Sequence, residues 1–299
     1  MAEKLRFQPA AFASNLVLRG VIWALLAIPY RWRIPLAGWV VSRILSPVAG
    51  YGKRVRANLA LIFPDMPAAE VARMMRAVPN NGGRTLVELY SGAEFKAHVA
   101  GSPVTGAGLD AILQARKAGQ GVILVSGHFG NYDVPRAVLS AQGHLVGALY
   151  KPFSNPFFDK HYRRTISAIG TPIFPRGRRG LAEMVQHLRA GGLLGILIDQ
   201  SIEHGAPLTF FGKRARTALS AAELALKYNC LLVPVYGVRQ PDGLSFELVI
   251  EDPIPASTPE KMTQALNDSL EALVRQHLEQ WFWIHRRWKR SEEHTSELQ

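Results

Sequence analysis

The sequence predicts an α/β protein: a mostly parallel sheet flanked by helices, preceded by an N-terminal membrane-associated helical segment. Three observations carry this reading. From about Gly106 onward, short apolar runs alternate with stretches of helical spacing, the order that βαβ units produce. Runs such as "GVILV" (Gly121–Val125) and "LLGILI" (Leu193–Ile198) are apolar throughout rather than at every second residue, as in strands covered on both faces. The chain also opens on "FASNLVLRGVIWALLAIPY" (Phe12–Tyr30), whose one charge is Arg19.

In chain order, that opening stretch comes first. A membrane span needs roughly 20 apolar residues, and an arginine near its middle costs about 2.5–3.5 kcal/mol. Arg31 and Arg33 follow, then a second apolar stretch from Ile34 to Leu45, with Trp23, Tyr30, Trp32 and Trp39 interspersed. Aromatics mixed with basic residues suit a membrane border, so residues 1–50 read as a membrane anchor, either one tilted span or an in-plane hairpin. An amphipathic helix of the protein core is the plain alternative. No small-residue cleavage site of signal-peptide type follows.

The alternating part gives a strand over Gly121–Ser126 and a helix over Asn131–Gln142. A strand is expected at Leu145–Tyr150, a helix at Pro156–Ile169, a short strand at Thr171–Phe174 and a helix at Leu181–Ala190. Leu193–Asp199 is a buried strand and Thr217–Tyr228 a helix. Leu231–Val238 and Ser245–Ile250 form a hairpin about "RQPDGL", whose Pro-Asp-Gly is turn chemistry. A long helix from Pro259 to about Trp281 closes a single domain over residues 51–289. The last ten residues, "RSEEHTSELQ" (Arg290–Gln299), match the translation of a common sequencing-library adapter and read as a tail foreign to the fold.

Composition narrows the function classes. Hydrophobic residues are 48% and charged residues 19% of 299, so a full core is available. One cysteine, Cys230, excludes a disulfide framework and a thiolate metal cluster, and it reads as a small core residue. The net charge is +12, from 35 Lys and Arg against 23 Asp and Glu, so an anionic partner is expected. No nucleic-acid-binding signature is present, and the N-terminus points to a membrane surface instead.

In open α/β sheets, ligands gather at the carboxyl ends of the strands. At such an end stands "SGHFGNYDV" (Ser126–Val134), with His128 between Gly127 and Gly130 and an acid at Asp133. Residues five apart do not share a helix face, so the two meet only if His128 lies in the loop and Asp133 in the first helical turn. A carboxylate on one ring nitrogen fixes the tautomer and leaves the other nitrogen free to accept a proton. With no G-x-S-x-G elbow and no plausible catalytic cysteine, a substrate hydroxyl is the expected nucleophile. A structural histidine is the plain alternative.

The segment resembles the H-x4-D/E motif of glycerolipid acyltransferases, and specifically the bacterial lipid A biosynthesis (lauroyl/myristoyl) acyltransferase family. The resemblance extends in order through "RVRANLALIFPDMP" (Arg54–Pro67), "YKPFSNPFFD" (Tyr150–Asp159), "RGRRGLAEMVQHLRAGGLLGILIDQ" (Arg176–Gln200), "FFGKRARTALSAAELA" (Phe210–Ala225) and "WFWIHRRWK" (Trp281–Lys289). Asp133 stands where the best-known lipid A enzymes carry Glu, and residues 202–208 depart from the family's commonest form.

The resemblance implies acyl transfer from an acyl carrier protein or CoA thioester to a lipid-linked hydroxyl, at the cytoplasmic face of the bacterial inner membrane. It implies no metal and no cofactor. His128 would deprotonate the hydroxyl and Asp133 would orient it. The oxyanion or an acceptor phosphate would meet Arg176 first and Arg179 second, with Asp199 a functional carboxylate at the same sheet edge. A solvated basic turn and a helix cap are their plain alternatives. Lys151 and Asn155 would contact acceptor phosphate or sugar, or Asn155 would build a turn. Trp281, Trp283 and Trp288 would line an acyl channel or the membrane border, or form core. His285 is ambiguous in the same way, and Arg286, Arg287 and Lys289 would face anionic lipid or carrier protein. Two other classes remain: a metal-dependent hydrolase using His128 and Asp133 with His161 or His204, and a non-catalytic membrane-peripheral binding protein.

Overall fold

The computed structural model describes residues 9–288, so Lys289, the tail at 290–299 and residues 1–8 lie outside it. Helices α1 (Pro9–Leu26) and α2 (Tyr30–Val40) lead through a π-helical turn at Val41–Leu45 into α3 (Ser46–Ala49), α4 (Tyr51–Ile62), α5 (Ala68–Ser91) and α6 (Ala93–Val99). The α/β part follows: β1 (Val104–Thr105), α7 (Gly108–Lys117), β2 (Val122–Ser126), α8 (Val134–Ala141), β3 (Val146–Tyr150), α9 (Pro156–Ile169), β4 (Ile173–Pro175), α10 (Arg178–Arg189) and β5 (Leu193–Leu197). Then come β6 (Ala206–Phe210), β7 (Lys213–Thr217), α11 (Ser220–Tyr228), β8 (Leu231–Arg239), β9 (Phe246–Ile250) and α12 (Pro259–Gln276).

Seven strands form one sheet in the order β1-β9-β8-β2-β5-β3-β4, parallel at every pair but β8–β9. The apolar runs are continuous because both faces are covered. In β2, Val122 and Leu124 join the core beneath α8, whereas Ile123 and Val125 join the core beneath α10, α11 and α12. A third cluster at one end collects Phe129, Phe210, Phe211, Trp281 and Trp283. The tryptophans are therefore core, both fully buried.

The structure differs from expectation in three elements. The expected helix from Thr217 begins at Ser220, because Lys213–Thr217 pairs antiparallel with Ala206–Phe210 as a separate hairpin docked on α12. The closing helix stops at Gln276, where a 3-10 turn at Leu278–Gln280 leads the chain back towards the sheet.

In the N-terminal segment, the one tilted span of the two expected anchor forms is not found: among the described residues, no helix is long and apolar enough to cross a membrane. Helix α2 instead buries Tyr30, Arg33, Ile34, Ala37 and Gly38 on one side, the spacing of a helix lying on a core, and it packs against α5. Arg33 is tied down by donating to the carbonyls of Leu26 and Ile28, to Ser91 at 3.0 Å and to Glu94. The outward faces stay apolar: Trp23 is 74%, Trp32 61% and Val48 89% exposed.

Candidate active site

Strands β2 and β5 run parallel in register, with Ser126 opposite Leu197. His128 and Asp199 each lie two residues past that row, so the two loops deliver them to the same spot. The Asp199 carboxylate receives the His128 backbone N–H at 2.7 Å and faces its Nδ1 at 2.8 Å. It also receives the Trp281 indole N–H at 2.9 Å. Burial by itself raises the Asp199 pKa, but the charge and hydrogen bonds of His128, with His285 adding, outweigh it and hold the group well below the usual carboxylate range. An ionised carboxylate only accepts, so Nδ1 donates to it and Nε2 is the ring nitrogen turned away from Asp199.

The glycines of the loop have separate reasons. A Cβ on Gly127 would lie 2.7 Å from Leu270 and 3.1 Å from the Asp199 carboxylate. Gly130 has φ +52°, and a Cβ there would strike the Gly237 carbonyl oxygen at 1.9 Å. The loop is clasped from the C-terminal side: Gly130 N–H donates to the Gln280 carbonyl at 2.9 Å, and Phe282 N–H to that of His128 at 3.0 Å.

The expected partnership of His128 with Asp133 is therefore not the one formed. Asp133 immediately precedes α8, and its two oxygens accept from Arg136 Nε at 2.7 Å and Nη2 at 3.0 Å. Arg136 is buried and also donates to the carbonyls of Ile166 and Gly170 at the end of α9. A residue three positions on in the same helix holds the acid, while the adjacent strand supplies the histidine's carboxylate. Asp199, expected among the oxyanion or phosphate contacts, is instead an anion wholly buried against His128.

A cavity of about 500 Å³ opens at His128, whose side chain is 21% exposed. Asp133, Lys151 and Arg176 reach its wall. Arg179 does not: its side chain is 92% exposed and paired with Glu183 along α10. Asn155 does not either. Its side chain accepts from the N–H groups of Phe157 and Phe158 and caps α9, and it donates to the Ala11 carbonyl at 2.8 Å. Arg287, expected at a lipid surface, is 1% exposed. It donates to Thr217 at 2.7 Å and to the Arg216 carbonyl at 2.8 Å, and burial pushes its pKa down to about 10.

The ring of His285, ambiguous in the sequence, lies 4.6 Å from that of His128 and nearly perpendicular to it. Burial, with the neighbouring charge of His128 adding and Asp199 opposing, pushes it down to about 4. Next to His128 stands a neutral imidazole. The ligand atoms of His128, Asp199 and His285 all lie within 4.8 Å of one another, the one group among the described residues that could hold a metal ion. This is not the set of a hydrolase built on Asp133 with His161 or His204. Such an ion would compete with the His128–Asp199 hydrogen bond.

Sequence reasoning missed the His128–Asp199 pairing and the Trp281 indole. One signal existed: both His128 and Asp199 close buried apolar runs at similar offsets, and adjacency of those runs would have paired them.

The site consists of a part-exposed histidine held by a buried carboxylate, with Lys151 and Arg176 on the wall of the cavity beside it. Comparison with known proteins gives the family. Residues 5–290 match the family of bacterial lipid A biosynthesis acyltransferases. A lipid A biosynthesis acyltransferase of Haemophilus influenzae is 25% identical over 89% of this chain and 85% of its own. A lipid A biosynthesis lauroyltransferase of Escherichia coli is 25% identical over 90% and 89%. A phosphatidylinositol mannoside acyltransferase of Mycobacterium tuberculosis is 24% identical over 84% and 86%. The chain belongs to the bacterial lipid A biosynthesis acyltransferase family, and it is an acyltransferase.

Proposed function

We propose that the protein moves a fatty acyl chain from an acyl carrier protein thioester to a hydroxyl of a lipid A precursor or a related glycolipid, with His128 as general base. The observation that carries this reading is the buried, ionised Asp199 on Nδ1 of a part-exposed His128 at a cavity mouth. Nε2 removes the hydroxyl proton as the oxygen attacks the thioester carbonyl. The tetrahedral intermediate collapses by breaking the C–S bond, and the departing thiolate takes the proton back from the imidazolium. Asp199 stabilises that transient cation and keeps the ring aligned. Arg176, on the cavity rim, is the side chain best placed to meet the oxyanion or an acceptor phosphate. Lys151 supports the same anionic substrate. Asp133 serves the site through Arg136, by fixing how α8 and α9 flank the cavity.

The acceptor is a membrane lipid, and the apolar exposed residues of α1–α3 support an in-plane seat on the cytoplasmic leaflet, assisted by Arg19, Arg31 and Arg43. The test is acyl transfer in vitro with purified enzyme, acyl carrier protein or CoA thioesters in parallel, and a lipid A precursor. His128→Ala should keep its melting temperature and lose about 10²–10⁴-fold in kcat. Near-native turnover by that variant would remove His128 from the mechanism.

A further inference from the structure

A glycine in a strand interior weakens it and usually marks a bulge, a bend or a close approach. Gly147 in β3 and Gly237 in β8 obey this rule, since a Cβ on them would lie 2.8 Å from Phe174 and 2.5 Å from Val134. Gly195 does not. It lies mid-strand in β5, paired to Leu124 on one side and Ala148 on the other. Its φ is not in the left-handed region. A Cβ built on it meets only the Gly147 carbonyl oxygen, at an ordinary 3.7 Å. The two residues before it, Leu193 and Leu194, are 1% and 0% exposed, yet Gly195 is only half-buried in a strand flanked on both sides. Neither the backbone nor the packing asks for a glycine here. What its missing side chain leaves is space, and that space belongs to the cavity that opens at His128.

We propose that Gly195 sets how long an acyl chain the enzyme accepts, because it forms the open floor of the donor's acyl site; this rests on the acyl-transfer reading above. The carbonyl carbon under attack must sit at His128, and its own chain begins at that carbon, so the chain enters whichever apolar space adjoins the base. The rows of β2 and β5 define that space. Ser126 and Leu197 form the row beside the base, and Leu124, Gly195 and Ala148 form the next row inward, roughly 6.6 Å deeper at 3.3 Å per residue. Ile166 of α9 and Val235 of β8 face the same space. The acceptor presents a hydroxyl on a polar headgroup, which belongs at the rim with Lys151 and Arg176. A side chain on the Gly195 row stands across the path of the donor chain and truncates it.

The experiment compares purified full-length wild type, Gly195→Ala and Gly195→Leu on decanoyl, lauroyl, myristoyl and palmitoyl thioesters with one acceptor. A methylene that does or does not fit an apolar pocket changes kcat/KM by about 10–200-fold. Gly195→Leu should therefore favour a shorter donor than wild type by at least about 10-fold in relative kcat/KM. Gly195→Ala should move the same way by less. Unchanged relative preference in a folded Gly195→Leu overturns the inference, as does an equal loss on all donors. If the Leu variant does not fold, an unchanged ratio in Gly195→Ala overturns it. Should preference shift only when the acceptor's own chains are varied, the cavity holds the acceptor and the donor assignment is wrong. If wild type itself transfers no acyl group from any donor, the acyl-transfer reading has failed rather than the role of Gly195.

Discussion

At the scale of single residues, two aspartates compete for one role and their surroundings separate them. Asp199 is buried and receives three N–H groups, two of them from His128. Asp133 sits at the cavity wall with both oxygens on Arg136. Asp199→Asn keeps the shape but presents a neutral amide to Nδ1, so the imidazolium formed during the reaction loses its counter-charge and the tautomer is no longer imposed. A comparable change in another His–Asp pair costs about 10⁴-fold in kcat, and a loss of about 10³–10⁴-fold is expected here, with KM nearly constant. Asp133→Asn leaves the buried Arg136 cation without its counter-ion, and breaking a buried pair in this way costs about 3–5 kcal/mol. Its main effect should be a lower melting temperature. Measuring kcat and thermal stability for both variants decides the assignment: if Asp133→Asn is native-like in stability but inactive, Asp133 rather than Asp199 serves the base.

Among elements, α9 shows how a motif residue can be structural. Asn155 precedes Pro156 at the helix start, and its side chain satisfies the N–H groups of Phe157 and Phe158. Replacing an Asn cap by Ala costs about 0.5–2 kcal/mol. Asn155→Ala should thus lower the melting temperature by several degrees and leave the KM for the acceptor unchanged; a KM increase at constant stability would restore it to substrate binding. The same element view explains which parts of the fold were legible. Buried strands such as β2 and β8 announce themselves by apolar runs over residues 122–125 and 231–238, and Pro156 and Pro259 mark helix starts. The β6–β7 hairpin was illegible, because "KRART" exposes charges on a two-stranded ribbon outside the main sheet. His128 was found from its place after a strand. Asp199 is legible in the same way at the same sheet edge, but its pairing with His128 is not, because β5 enters the sheet between β2 and β3 after two intervening strands. Local spacing offered Asp133, whereas the sheet order selects Asp199.

At the scale of the whole molecule, the described residues hold no helix long and apolar enough to cross a membrane, yet the family acts on a lipid acceptor. The described N-terminal helices carry Trp23, Trp32, Trp39, Ile44, Leu45 and Val48 exposed, whereas the opposite side of α2 is locked onto the core through Ile34 and Arg33. Burying such apolar area in an interface contributes about 25 cal/mol per Å², and each Lys or Arg near an anionic surface adds about 1 kcal/mol. Both contributions are present, with Arg19, Arg31 and Arg43 exposed among the aromatics and a net charge of +12 behind them. Co-sedimentation with vesicles should therefore be strong for phosphatidylglycerol-containing membranes and weaker for neutral ones. Raising salt should reduce only the difference between the two, since screening acts on charge and not on apolar burial. The triple variant Trp32→Glu, Trp39→Glu, Val48→Glu changes residues that point away from the core, so its melting temperature should stay close to that of wild type. Its vesicle partition should fall by at least about 100-fold, the equivalent of about 2.7 kcal/mol. Turnover on a vesicle-borne acceptor should fall with it, while turnover on a detergent-dispersed acceptor is retained. Wild-type partition by the triple variant would place the membrane contact on another face of the protein.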